Sequence, residues 1–457
     1  MRYQFSSYQG LNPTLVVSDP ELIRQITVKD FNVFPNRRAI SSGLDDITEK
    51  FLSRSKGDDW KRMRTIITPT FTSGKMRRMF LSMNETAQEA VDALAEYTET
   101  GVEVDLKPYA SRFTLDVIAR CCFAVRPNSH KNPENPFFKA SSNIFKFGSK
   151  YKLMALLMLP NVVLKLLQMK LFPQEPIEYY KKAILSLIKE RREKNIVVDD
   201  FLQLLIEASQ ETKDNEDETN ELDAESHHLN ERGEDAQKMK MLFDKKALKR
   251  KTLDEVEIIA NSVLFLVAGY ETTAALITFT LYRLAYDQSV QDKLREALKK
   301  SDTLSYEFIS TCEYLDAVIQ ESLRIYPPAV AIDREAVEDY DLIGTNVMIE
   351  KGTQVLVPVY ALHHSEQFYP EPEKFNPDRF LPENRDQLTP YTYLPFGAGP
   401  RNCVGMRFAL LEAKLLIAKL ILTYNFNHTD KTDYPPKFTG GIGLMQTAPL
   451  HIAVHKL

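Results

Sequence analysis

The stretch Phe396-Gly397-Ala398-Gly399-Pro400-Arg401-Asn402-Cys403-Val404-Gly405 decides how this chain is read. Gly397, Gly399 and Gly405 free the backbone to approach a flat, bulky group and to aim amides at the cysteine sulfur. An apolar run follows from about residue 404 to 424 and predicts a long helix. A cysteine just before a helix is favoured as thiolate by the dipole and by the unpaired N–H groups there. Arg401, two residues earlier, can make a charge-assisted bond to a carboxylate at the edge of such a group. The usual fate of a lone cysteine is burial as a small structural hydrophobe. Against that, Phe-x-x-Gly-x-Arg-x-Cys-x-Gly fixes five residues, and a chain this long matches it by chance roughly one time in a thousand or fewer.

Working outward, 457 residues with 44% hydrophobic content are enough to enclose a cofactor completely. A net charge of −5 gives no reason to expect a nucleic-acid partner. Of the four cysteines, adjacent Cys121 and Cys122 cannot easily bridge, Cys312 and Cys403 stand alone, and no zinc spacing occurs, which suits a reducing compartment. The N-terminus lacks the basic and apolar regions of a signal peptide. No stretch has the roughly 18 uninterrupted apolar residues of a bilayer span, so the expectation is a chain without a transmembrane anchor.

Tyr3, Phe5 and Thr14 to Val17, around Gly10 and Pro13, predict a hairpin. Asp19-Pro20 supplies an N-cap and first-turn proline for a helix. Residues 75–325 read as mainly helical. Within them 253–285 is apolar on all sides and belongs in the protein interior. Residues 153–172 are apolar but broken by Pro160, Lys165 and Lys170; they predict either a buried helix pair or an edge that dips into lipid. The acidic segment 207–237 predicts a disordered linker. After Pro327-Pro328, short strands near 347–349 and 354–358 precede a proline-rich meander. The expected fold class is mainly α: a single domain over 1–457, with a large helical body and a small β region.

Three further constellations carry chemistry. Ala268-Gly269-Tyr270-Glu271-Thr272-Thr273 puts a carboxylate and two hydroxyls into the apolar helix, where they are costly unless partnered. It reads either as helix packing with satisfied threonines or as a polar notch able to pass protons. Glu321-Ser322-Leu323-Arg324 places an acid and a base on one helix face, by itself an ordinary surface pair. Trp60 and Arg64, four apart, also share a face. His363-His364 read as a strand or turn with the rings pointing apart, which argues against metal ligation; His227-His228 are incidental to the acidic segment.

The Cys403 segment resembles the haem-binding loop of the cytochromes P450, and the likeness runs in order over essentially the whole chain. GDDWKRMRTIITPTFTSGK (57–75) and GPRNCVGMRFAL (399–410) most resemble the animal xenobiotic-metabolising clan. The resemblance implies haem b, with Cys403 as axial iron ligand and Phe396 beside it. Trp60, Arg64, Arg334 and Arg401 would hold the propionates. Thr272 would position bound dioxygen and Glu271 would relay protons. Glu321, Arg324 and Arg379 would form a buried structural ion network. The meander carries Asp378 where many relatives have glutamate, a departure outside that network. Phe265, Val267, Ala329, Val330 and Leu444 would line a pocket for an apolar small molecule.

Lys75, Arg77 and Arg78, solvated charges by default, would form a basic face docking NADPH–cytochrome P450 reductase, with cytochrome b5 a second partner. Relatives begin with a membrane helix, hinge and initial helix, so this chain is expected to be N-terminally truncated. Its expected location is the cytoplasmic face of the endoplasmic reticulum membrane, with 153–172 against the lipid surface. Two other readings compete: a haem-thiolate isomerase or dehydratase of peroxides, against which the Glu271-Thr272 pair argues, and a non-catalytic haem binder.

Overall fold

A computed structural model describes residues 4–9, 12–38, 46–144, 150–159, 161–208, 252–439 and 443–457. The predicted hairpin is present: Gln4–Gln9 pairs antiparallel with Asn12–Val17. Gln354–Val357 adds parallel to the second of these strands and Ile332–Glu335 adds antiparallel to that, completing a four-stranded sheet. Leu15, Val17, Val355 and Val357 alternate onto one face, the pleat period of two, and share a small core with Ile23, Ile26 and Phe34. Asp19 caps the next helix, Pro20–Arg24, accepting from the amides of Glu21 and Leu22. That helix widens at once into a π-helical turn at Gln25–Lys29.

The apolar segment forms one helix, Glu255–Tyr286 (the central helix), opened by a reciprocal capping box between Asp254 and Glu257. It is long and apolar enough to cross a bilayer, yet most of it is buried in the fold. The helix Leu106–Phe123 (the flanking helix) packs closely along it, and Gly269 permits this. A Cβ there would stand 2.8 Å from Ile118 Cδ1. The helix after the cysteine loop, Met406–Thr423 (the terminal helix), is likewise sunk in the main core.

Of the two readings of 153–172, the buried pair is set aside: the helices Lys150–Met158 and Asn161–Leu166 expose Tyr151, Met154, Met158, Val162 and Leu166. One expectation is corrected. His363 does not lie on a strand or turn but ends the helix Val359–His363, with His364 in the turn that follows. Because helical backbone places consecutive side chains about 100° apart, His363 turns inward while His364 stacks on Tyr360. The acidic linker beyond residue 208, and His227-His228 with it, lie outside the described residues; Glu207 closes the helix Phe201–Glu207.

His363 has a structural use. Its Nδ1 donates to the Arg324 carbonyl (3.0 Å) and its Nε2 accepts the Leu394 amide (2.8 Å). Burial, helped by the charge of Arg324, pushes the ring down to about 3 from 6.5. The folded ring is therefore neutral at pH values where the unfolded ring takes up a proton. Its stability contribution is complete above pH 6.5 and is lost as pH falls from there towards 3. The expected slope is about 1.4 kcal/mol per pH unit. Unfolding free energies from urea titrations at pH 7 and pH 5 should differ by about 2 kcal/mol, and His363→Gln should flatten that difference.

Candidate active site

The cysteine loop is a tight construction. Cys403 N–H donates to the Phe396 carbonyl (2.9 Å) and Asn402 N–H to that of Gly399 (2.9 Å), while Phe396 itself packs half-buried on the core. Gly397 and Gly399 both hold positive φ, 78° and 70°. At 399 no other residue fits: a Cβ would lie 1.9 Å from the Thr27 carbonyl oxygen of the π-helical turn. Of the four cysteines only Cys403 is exposed. Burial nevertheless raises its thiol, opposed by the Gly405 amide and by the charges of Arg64 and Arg37. Open surface in a desolvated environment means a sulfur on the wall of an interior cavity.

Arginines brace this loop from three sides. Arg334 Nη2 donates to the Ala398 carbonyl (2.9 Å), Arg37 Nη2 to that of Arg401 (2.6 Å), and Arg64 to both the Asn402 carbonyl (2.8 Å) and its side-chain oxygen (2.7 Å). Arg401 donates to Pro35 and Ser55 carbonyls, and its guanidinium lies over the Trp60 ring at 4.1 Å. The four cations repel one another. Burial, then Arg37, Arg334 and Arg64, push Arg401 down to about 8. Burial and Arg37 push Arg334 down to about 9. The Asp333 carboxylate opposes this at both. Arg37 Nε, Arg334 Nε and Arg401 Nη1 are buried and find no hydrogen-bond partner among the described residues.

The structure thus brings Trp60, Arg64, Arg334 and Arg401 together as expected and adds Arg37, which the sequence reading missed. Its only signal there is a second arginine beside Arg38.

On the central helix, Thr272 Oγ1 donates back to the Ala268 carbonyl (2.7 Å). Ala268 is exposed in the middle of this otherwise buried helix, so the row through Ala268 and Thr272 is its open face. Glu271 is buried and paired to Lys107 of the flanking helix at 2.8 Å, a partner that sequence spacing could not reveal. A Cβ on Gly405 would meet Phe265 at 4.0 Å, which brings the central helix alongside the cysteine loop. Phe265 itself packs on Phe71 and Phe201, and Val267 is buried in the core. Both were expected in the pocket. Helical phase turns Val267 about 100° from Ala268, whereas Phe265, three residues before Ala268 and seven before Thr272, shares their face. Ala329 and Leu444 do meet, as a β-bridge, and Val330 N–H donates to the Gly443 carbonyl.

The third group sits behind the loop. Arg324 Nε and Nη2 donate to the two oxygens of Glu321 (2.7 and 2.8 Å), with both side chains fully buried. Arg379 Nε approaches Glu321 at 3.4 Å, and the Asn376 amide donates to the same carboxylate at 2.9 Å. Arg324 also donates to the carbonyls of His363 and Pro372, tying the meander to the helix Glu313–Ile325. Asp378 stays outside, paired with Lys293 on the surface.

A family model described as cytochrome P450 matches residues 3–231 and 227–454. Cytochrome P450 9e2 of Blattella germanica is 35% identical over 458 residues, covering 94% of this chain and 81% of its own length. Cytochrome P450 3A11 of Mus musculus is 36% identical over 450 residues, covering 96% and 82%. Cytochrome P450 3A5 of Homo sapiens is 34% identical over 444 residues, covering 95% and 80%. The chain belongs to the cytochrome P450 family, whose members are monooxygenases with haem b as cofactor. The residues present fit that group. A cavity-facing sulfur suits the iron, and four crowded cations, three of them (Arg37, Arg334 and Arg401) with N–H groups that find no partner among the described residues, suit a buried dianion.

Proposed function

We propose that this chain is a haem-thiolate monooxygenase of small apolar molecules, with Cys403 as the iron's axial ligand. The observation that carries the reading is Cys403 itself: exposed into the interior, at the start of a helix, inside a ring of arginines. When bound, haem supplies the iron that takes up dioxygen and activates it with electrons delivered from NADPH. The Gly405 amide and the charges of Arg64 and Arg37 favour the thiolate. Arg37, Arg64, Arg334 and Arg401, with Trp60 under the last, hold the propionate edge, and Phe396 closes the loop. Thr272 offers a hydroxyl on the open helix face. Glu271, tethered to Lys107, relays protons to it from the flanking side. The apolar surroundings keep bulk water out. Ala329, Val330 and Leu444 border the substrate space.

Electrons come through an acidic reductase, NADPH–cytochrome P450 reductase, or cytochrome b5, docking on the surface around Lys75, Arg77 and Arg78. Arg77 and Arg78 form exposed pairs with Glu307 and Asp199; such pairs are weak and exchange readily for a partner's carboxylates. The test is a carbon monoxide difference spectrum of the reduced, haem-loaded chain, followed by NADPH oxidation with added reductase. The thiolate band together with reductase-dependent product supports the reading. Peroxide rearrangement without reductase, or neither activity, refutes it.

The exposed apolar side chains of 151–167 support residence on the endoplasmic reticulum membrane, at its cytoplasmic face. Val162 is 78% and Leu166 82% exposed, and each such side chain gains about 1.5–3 kcal/mol on full transfer from water. The chain should float with phosphatidylcholine–phosphatidylserine vesicles. Val162→Asp with Leu166→Asp should cut the floated fraction about tenfold or more.

A further inference from the structure

Asn36 Oδ1 accepts the Gly57 amide at 2.9 Å, and this contact stands where the helix Gly57–Ile67 would otherwise have a cap of its own. An α-helix leaves its first four amides without intrahelical acceptors. Lys56 occupies the N-cap with extended backbone (φ −119°, ψ 157°), yet its side chain makes no capping bond. An ammonium group has only donors to offer. The first amide therefore goes to a carboxamide from another segment. The helix that it holds is the one that carries Trp60 and Arg64.

Asn36 is buried and also binds the sheet. Glu335 N–H donates to its carbonyl at 2.9 Å, as an antiparallel bridge, and Glu335 follows Arg334 on the strand Ile332–Glu335. On one side of Asn36, the Pro35 carbonyl accepts Arg401 Nε (2.7 Å); on the other, Arg37 reaches the Arg401 carbonyl (2.6 Å). One residue thus touches or adjoins the stretches that supply all four cations around the cysteine loop. Those cations repel one another, so their spacing must be set by the backbone that carries them. Stability of the helix alone would be met by Ser, Thr, Asp or Asn at position 56, where the backbone already has the extended form of a cap. The acceptor comes instead from the segment that braces Arg401, which points to placement of the helix rather than its stability.

We propose that Asn36 is a positioning residue: its carboxamide and carbonyl join the helix of Trp60 and Arg64 to the strand of Arg334, setting the spacing of the arginines that grip the cofactor's propionates. This rests on the propionate role proposed above for Arg37, Arg64, Arg334 and Arg401. Asn36 acts through those arginines and takes no part in the chemistry.

Resonance Raman spectroscopy of the haem-loaded full chain reads propionate hydrogen bonding through the propionate bending modes, and transfer of haem to apomyoglobin reads its retention. Asn36→Ala should shift the bending modes, speed haem transfer about tenfold and lower the urea midpoint. Lys56→Ser gives the helix a local cap and breaks only an exposed pair with Glu335, which is weak. Alone it should leave the modes and the transfer rate at wild-type values. The deciding chain combines Asn36→Ala with Lys56→Ser. It should regain the urea midpoint, because the helix is capped again, yet keep the shifted modes and the fast transfer. Recovery of all three reduces Asn36 to a cap and overturns the proposal, as do wild-type modes and rate in Asn36→Ala. If Asn36→Ala alone does not fold, the double variant set against Lys56→Ser carries the same comparison. Arg64→Leu separates the two readings. Unmoved modes there sink the propionate assignment and the positioning role with it; moved modes there, with unmoved ones in Asn36→Ala, sink the positioning role alone.

Discussion

Cys403→Ser should fold, bring no thiolate band to the carbon monoxide difference spectrum, and lose turnover to below detection. A serine hydroxyl does not ionise near neutral pH and is a poor donor to iron, whereas the surroundings of residue 403 are built to favour an anion. The Gly405 amide and the charges of Arg64 and Arg37 all act in that direction. The loop itself should survive, because its hydrogen bonds run through the backbone from 394 to 403 and its braces are carbonyl contacts from Arg334, Arg37 and Arg64. Residual pigment is therefore expected, held through the arginines but spectrally altered. Spectrum and turnover both unchanged from wild type would remove the sulfur from the chemistry.

Glu321→Ala should be nearly as damaging by a different route. Removing the acid leaves the Arg324 guanidinium fully buried with its charge uncompensated, and breaking a pair of this kind costs about 3–5 kcal/mol. The Asn376 amide loses its acceptor as well, and Arg379 loses its nearest anion. For a domain whose whole stability is about 5–15 kcal/mol, that is a large share. The expected outcome is little soluble haem-loaded protein, with a denaturant midpoint shifted accordingly in whatever is recovered. Lys293→Ala, which breaks only the exposed pair with Asp378, is the control and should cost less than about 1 kcal/mol.

The features legible in the sequence were those written in local pattern. Gly397 and Gly399 beside Cys403 announce a loop with left-handed backbone, which both adopt, and Gly399 is seen pressed against the Thr27 carbonyl. Apolar character on every side marked the central helix, and Asp19-Pro20 marked a helix start that the structure keeps. What escaped depends on chain segments that meet only after folding. Arg37 and Arg401 are 364 positions apart, and nothing near either announces the other. Lys107 and Glu271 come together because Gly269 lets two helices close up, a consequence of packing rather than of spacing. Val267 was misplaced by one step of helical phase, the difference between a core residue and the exposed Ala268. His363 was read as part of a strand or turn, since five residues are too few for a helical period to declare itself.

The crowding of Arg37, Arg64, Arg334 and Arg401 has a consequence for how the protein comes into being. Like charges gathered in a poorly hydrated place strain the chain until a dianion arrives to neutralise them, and anything that binds only the folded form shifts the unfolding balance in its favour. On the propionate role proposed above, the ring of cations makes maturation conditional: a newly made chain reaches its full stability only once it has been loaded. How much of it persists in a cell is then set by porphyrin supply as well as by its own synthesis.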